Sequence, residues 1–332
     1  MTVQLTIIGL GQIGASIGLA LGKHGDKLIR IGSDIDPKVM KQALKLGAVD
    51  KTSPNLHAAI RAADIIILAL PLDQVQEMMN AVAPELKEGA VLMDTAPIKV
   101  ATAEWAVAIL PENRSYVGFT PILNQRYLHT EGYGIAAAKS DLFQNGMFGI
   151  TTPPKTSPEA INLATNLAKL MDAEPLFVDL HEIDGLMAAT HLLPQLMSAA
   201  LLNATLDQPG WREARKVAGR AFAEVSGPAA HLDDVEALVA AANLNRANTV
   251  RKLDDAIAAL QSLRREIAQD DSDALSTRLK HAKAGVHQWW QERGAGNWLA
   301  DELPKAENIP TKSDVLGNIF GFGLWKKKKD RR

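Results

Sequence analysis

Ile7-Ile8-Gly9-Leu10-Gly11-Gln12-Ile13-Gly14-Ala15-Ser16 is the stretch that decides how the first half of the chain is read. Its glycines have the spacing G-x-G-x-x-G, which is a weak signal alone because glycine also serves ordinary turns. Here the string follows the apolar run Val3–Ile8, opens a small-residue helical pattern over Ala15–Gly22, and precedes Asp34 by twenty residues counted from Gly14. That context is the one a dinucleotide-binding turn requires. Gly9 permits the tight turn, Gly11 lets the backbone approach a pyrophosphate, and Gly14 allows the helix to pack closely on the strand. The helix start, with Gln12 and Ile13, then turns unpaired N–H groups and a positive dipole end toward the phosphates. Asp34 closes the next apolar run, Leu28–Ser33, where a carboxylate accepts hydrogen bonds from ribose hydroxyls and repels a 2′-phosphate. No arginine follows and Lys38 is the nearby cation, so NAD is the expected cofactor, with NADP the alternative. Asp36, ahead of Pro37, reads as a helix cap.

Outward from this turn, short apolar runs alternate with helical patterns. Strands are expected at Val3–Ile8, Leu28–Ser33, Ile65–Leu70, Val91–Asp94, Tyr116–Phe119 and Met147–Thr151, with helices at Pro37–Leu46, Asp73–Ala81 and Val100–Leu110. Gly47 is placed to end the second helix. The alternation predicts an α/β fold with an N-terminal doubly wound parallel sheet of the Rossmann type. The loop Ala69-Leu70-Pro71 leaves one of these strand ends, so Leu70 and Pro71 are expected to flank the cofactor's ribose and nicotinamide. After Thr152-Pro153-Pro154 one more helix (Glu159–Met171) and a short strand (Leu176–Val178) precede an all-helical half. Residues Val250, Leu253, Ile257, Leu260, Leu263 and Ile267 form an i, i+3/i+4 stripe there, the pattern of a core or dimer seam. The chain divides on this reading into a dinucleotide-binding domain over 1–155, a helical domain over 156–269, and a less regular extension over 270–332.

Composition narrows the classes. With 332 residues, 47% hydrophobic and 22% charged, the chain has material for two packed domains and is not a disordered polymer. A net charge of −2 gives no general attraction to nucleic acid or anionic membranes, so small-molecule partners are expected. Absence of cysteine excludes disulfides, thiolate metal sites and a cysteine nucleophile. The N-terminus has no signal-peptide pattern, and a cytoplasmic location is expected. The uncharged run Gly185–Leu206 carries Thr190, His191, Pro194, Gln195, Ser198 and Asn203, which reads as a buried core helix and not a membrane span. Six of the last seven residues are Lys or Arg, most simply a solvated terminus.

Several strings occur together in order: the glycine turn, Ala63–Pro71, Asp94-Thr95-Ala96-Pro97-Ile98-Lys99, Tyr116-Val117-Gly118-Phe119-Thr120-Pro121, His181-Glu182-Ile183-Asp184, Thr190-His191-Leu192-Leu193-Pro194-Gln195, and Asn245-Arg246-Ala247-Asn248. On these the chain resembles the prephenate/arogenate dehydrogenase family of tyrosine biosynthesis, over about residues 3–268. The resemblance implies a Rossmann domain, an all-helical dimerisation domain through which two subunits interlock, and NAD(P)-dependent oxidative decarboxylation of prephenate or arogenate.

The chain departs from that pattern at the substrate contacts. Thr120 stands where the family has a histidine that helps take the substrate hydroxyl's proton, and a threonine hydroxyl is a poor base near pH 7. Pro97 stands where the family has serine. Aligned on Pro194, the family's Ser-His-Leu-Pro-His motif meets His191, Leu192 and Gln195. Its carboxylate-binding arginine has no counterpart in Ala221–Gly227. The replacements the sequence offers are His191 as base, Lys99 and Asn124 to polarise a substrate oxygen, and Gln195 and Arg126 to bind substrate, Arg126 holding a carboxylate bidentately. Each has a plainer reading, as a core histidine or as surface charges. No metal is expected, since His129 and His181 lack partners at ligand spacing. Two other functions fit the departures: a dehydrogenase for another small hydroxy or keto acid, or a non-catalytic NAD-binding sensor.

Overall fold

The computed structural model of the chain describes residues 2–129, 132–230 and 235–296. The basic run at 326–332 lies outside them. Eight strands form one sheet: β1 (Val3–Ile8), β2 (Leu28–Ser33), β3 (Lys51–Thr52), β4 (Ile65–Leu68), β5 (Val91–Asp94), β6 (Ser115–Ile122), β7 (Met147–Thr151) and β8 (Glu174–Phe177). Their spatial order is β3-β2-β1-β4-β5-β6-β7-β8, parallel throughout except for the antiparallel β6–β7 pair. The first six strands thus have the 3-2-1-4-5-6 order of the doubly wound dinucleotide fold. As in sheets covered on both faces, β4 is apolar and buried at every residue.

Helices α1 (Gln12–Ala20), α2 (Pro37–Leu46) and α6 (Pro158–Leu170) cover one face of the sheet. Helices α3 (Leu56–Ile60), α4 (Leu72–Val82) and α5 (Val100–Ile109) cover the other. Local chemistry sets their ends. Asp36 accepts from Lys38 N at 2.8 Å and caps α2, with Pro37 as its first residue, and Gly47 ends the helix at φ +72°. β3 and α3 escape sequence periodicity because two and five residues are too short to display one. α6 and β8 complete the sheet layer, so the division expected at residue 155 falls inside that layer and the sheet unit runs to about residue 178.

The helical layer comprises α7 (Leu180–Met187), a wider π-helical turn (Ala188–Leu192), α8 (Leu193–Thr205), α9 (Trp211–Val217), α10 (Arg220–Ala230), α11 (Val235–Leu244), α12 (Arg246–Ala268) and α13 (Ser272–Ala295). The π turn precedes Pro194, whose ring has no N–H to give the carbonyl four residues back. Two expectations change. The segment beyond 270 is not irregular: α13 is a 24-residue helix, capped by Asp271 on Ala274 N at 3.0 Å, whose charge-rich sequence conceals its period. The run expected as a core helix is helical, but in its most apolar window only 17% of residues are buried; the helix is long and apolar enough to cross a membrane by length and composition alone. One of its faces packs on the sheet layer through Ile183, Asp184, Ala188 and Leu192, and the other is only half covered.

Candidate functional site

The glycine turn is built by close approach. Gly9 has φ +89°, and a Cβ there would collide with Ala69 O; a Cβ at Gly14 would collide with Gly9 O. Around Gly11, by contrast, a Cβ would meet nothing. No side chain caps α1, so its first N–H groups, from Gln12 and Ile13 onward, are directed at open space at the carboxyl edge of the sheet. Gln12 reaches Ala137 O at 3.4 Å. Asp34 is half-buried; its Oδ2 accepts from Leu10 N at 2.7 Å and its Oδ1 from Asp36 N at 2.9 Å. Each oxygen keeps a second lone pair for a ribose hydroxyl. Leu70 and the α4-capping residue Pro71 flank the same edge, with Ala69 N bound to Ile8 O at 2.8 Å. The residues present fit an adenine dinucleotide.

Lys99 has a different place from the one its sequence position suggests. Its side chain is fully buried, and Nζ donates to Asp94 O at 2.9 Å and to Asp94 Oδ1 at 2.7 Å. Tyr116 donates to Asp94 Oδ2 and lies 2.7 Å from the Thr102 hydroxyl. Desolvation pulls the Lys99 pKa down against the pull of Asp94, and it pushes Tyr116 well above 10. An ammonium committed in this way does not reach a substrate oxygen, so neither polarisation of substrate nor a surface role fits Lys99. Asp184 of α7 joins the cluster from the helical layer: Oδ1 accepts from Lys99 N at 2.6 Å, Oδ2 from Val100 N at 3.2 Å, and its backbone oxygen from Asn245 Nδ2 at 2.7 Å. It caps α5 in place of a local residue, and burial raises its pKa. Three strings that carried the family resemblance, those of Asp94–Lys99, Asp184 and Asn245, therefore meet as one buried latch between the layers. Sequence reading quoted them but gave no role to Asp94, Tyr116, Asp184 or Asn245; their shared occurrence in those strings was the available signal.

The remaining residues divide. Thr120 is 2% exposed on β6, and its hydroxyl has no hydrogen-bond partner among the described residues; the same holds for Thr151 on β7. Thr120 lies under α7, its Cβ and Ile183 Cδ1 both within 3.5 Å of a Cβ built at Gly149. Asn124 follows β6 and caps a short turn, its Oδ1 accepting from Arg126 N at 3.0 Å. Arg126 is 74% exposed and pairs with Asp141 at 3.4 Å, a solvent-facing contact. His191 is half-buried in the π turn. Gln195 Nε2 lies 3.3 Å from His191 Nε2 and donates to His191 O at 3.0 Å, so the two residues form one polar pair on the helical layer.

A match to the family described as prephenate dehydrogenase, nucleotide-binding domain, covers residues 17–176. The prephenate dehydrogenase of Bacillus subtilis is 27% identical over 85% of this chain and 75% of its own length. The chain is thus similar to prephenate dehydrogenases in both comparisons. The cyclohexadienyl dehydrogenase of Zymomonas mobilis is 25% identical over 85% of this chain and 95% of its own length. In fold it is similar to the Aquifex aeolicus prephenate dehydrogenase solved with hydroxyphenyl propionate and NAD+ (TM-score 0.77, 20% identity, covering 87% of this chain and 98% of that one). The Synechocystis arogenate dehydrogenase is similar as well (TM-score 0.69, 23% identity, 86% and 100%).

Proposed function

We propose that this protein is a member of the prephenate dehydrogenase family, an NAD-dependent dehydrogenase that oxidatively decarboxylates prephenate or arogenate in tyrosine biosynthesis. The observation that carries the reading is the glycine turn with Asp34 at the carboxyl edge of the sheet, and the helical layer adds the His191–Gln195 pair. NAD bound on α1 supplies the hydride acceptor. The chain's own residues then have three tasks. Asp34 and the uncapped α1 terminus hold the cofactor. His191 takes the hydroxyl proton as the ring carbon gives up hydride and carbon dioxide departs. Gln195, Asn124 and the unpartnered Thr120 hydroxyl orient the substrate's polar groups. A threonine in place of the family histidine favours a second reading, in which another small hydroxy or keto acid is the substrate.

The half-covered faces support a homodimer. Val250, Ile257, Leu260 and Ile267 on α12 are each at least half exposed, and the apolar helix 180–205 adds to that surface. A continuous apolar area of this kind on a water-soluble protein is normally covered by a partner. Light scattering should give twice the chain mass, and Ile257→Lys with Leu260→Lys should yield monomer.

The direct test follows absorbance of NADH with purified protein, NAD and prephenate, repeated with arogenate and with NADP. Turnover establishes the reaction. NAD binding by calorimetry without turnover on either substrate transfers the reading to another acid or to a non-catalytic NAD-binding role.

A further inference from the structure

α12 leaves the latch at Asn245 and α13 returns beside it, the two joined by Arg278 Nη2 on Glu266 Oε1 at 2.6 Å. At 1.5 Å per residue both helices are about 35 Å long, so the end of α13 comes back to the level at which α12 began, beside the sheet's carboxyl edge. There it docks on the segment that leaves β6. Gln125 Nε2 donates to Trp290 O at 3.1 Å, the His129 ring stacks on Trp290 with centroids 5.1 Å apart, and Arg293 Nη2 donates to Leu123 O at 2.7 Å.

Among the half-buried or buried arginines, Arg30 is neutralised by Asp50, and Arg114 spends its guanidinium on the carbonyls of Leu86 and Glu112. Arg293 has no carboxylate within ion-pair distance among the described residues, and its one hydrogen bond leaves most of its five N–H donors unspent. Burial without a counter-charge pulls its pKa below the ordinary arginine value. A guanidinium held in this state by a fixed helix end, one residue from Asn124, has the chemistry of a seat for an oxyanion.

We propose that Arg293 binds an oxyanion of the ligands in the cleft, and that this oxyanion is the substrate's carboxylate. This rests on the dehydrogenase reading above. It supplies a cation where 221–227 has none. The other oxyanion in such a cleft is the cofactor's pyrophosphate. The sheet order puts β6 three strands from β1, about 14 Å at 4.7–4.9 Å per strand, and the phosphates are served at the β1 turn.

The test uses full-length wild-type, Arg293→Ala and Arg293→Lys proteins, with calorimetry for NAD and for 4-hydroxyphenylpropionate in the presence of NAD, 4-ethylphenol as the carboxylate-free control, and prephenate kinetics. Arg293→Ala should weaken 4-hydroxyphenylpropionate and raise the prephenate KM by about 10- to 100-fold, the range for hydrogen bonds to a charged group. NAD and 4-ethylphenol affinities should stay within about twofold, a change of under ~0.5 kcal/mol. Arg293→Lys should fall between, since it keeps charge and loses the fork. Weakened NAD binding with unchanged carboxylate binding would assign Arg293 to a phosphate and overturn the choice of source. Unchanged affinity for every ligand, with only a lower melting midpoint, would make Arg293 a strap for α13 and overturn the proposal. If wild type binds NAD but neither turns over prephenate nor binds 4-hydroxyphenylpropionate, the substrate reading has failed and, with it, the carboxylate assignment; the NAD affinities of the variants then still decide between phosphate seat and strap.

Discussion

Lys99→Met separates an ammonium that holds the layers together from one that takes part in chemistry. Methionine approximates the volume of the lysine stem but leaves the Asp94 carboxylate fully buried, with Ala96 N at 2.9 Å and the Tyr116 hydroxyl as partners and no cation. Removing one member of a buried ion pair costs about 3–5 kcal/mol, because the remaining charge is uncompensated. At roughly 2–4 °C per kcal/mol the melting midpoint should drop by about 6–20 °C. Adding Asp94→Asn should restore part of this, since the amide oxygen still accepts from Tyr116 and no charge is left at position 94. Calorimetric or circular-dichroism melts of wild type, both single variants and the double variant give the coupling directly. Turnover of Lys99→Met, measured well below its midpoint, should fall by less than about tenfold, against the 10²–10⁴-fold typical of a lost proton-transfer group. A variant with wild-type stability and a loss in that larger range would refute the structural assignment and return Lys99 to the active site.

Other perturbations test separate parts of the molecule. Gly11→Asp, which puts a carboxylate where the pyrophosphate would lie, and Asp34→Ala, which removes the ribose acceptor, should each weaken NAD binding in calorimetry while the molecular mass in solution is unchanged; unaltered affinity in both would remove the cofactor site from this turn. His191→Ala should lower turnover by about 10²–10⁴-fold if it takes the substrate proton, with NAD affinity retained. Thr151→Val deletes a buried hydroxyl with no partner among the described residues and should leave the urea midpoint unchanged or raised; a loss above about 1 kcal/mol would mean that the hydroxyl is satisfied by bound water. Burial alone would raise the Asp50 pKa, but the side-chain and backbone hydrogen bonds from Arg30 outweigh it and hold the group below 3.8. A depressed carboxylate stabilises the fold fully above its unfolded value and loses that contribution as pH falls through the folded one. Asp50→Asn should therefore lower stability at pH 7 and converge with wild type as pH drops below about 4.

Features made by neighbours in the chain were legible without coordinates. The glycine turn, the Asp36 cap, the Gly47 stop and the fully apolar β4 are set by backbone sterics, local hydrogen bonds and the side-chain period, all of which act within a few residues. Asp34 belongs with them, because a strand of known length puts it at a known edge. Lys99, Arg126 and Arg293 show the limit. Lys99 and Arg126 lie near an expected site in the sequence and Arg293 lies in the extension, and nothing in their local sequence distinguishes them. Folding buries Lys99 on Asp94, pairs Arg126 with Asp141 in solvent, and brings Arg293 to Leu123 from 170 residues away without a counter-ion. The described part of the extension, α13, is an ordered helix for a similar reason, since its docking points, Glu266, Gln125, Leu123 and His129, lie on other elements. Sequence by itself determined the cofactor cradle and the order of the layers; only the tertiary structure decided which charges are spent and which are left for a ligand, because burial and counter-charge are properties of residues distant along the chain.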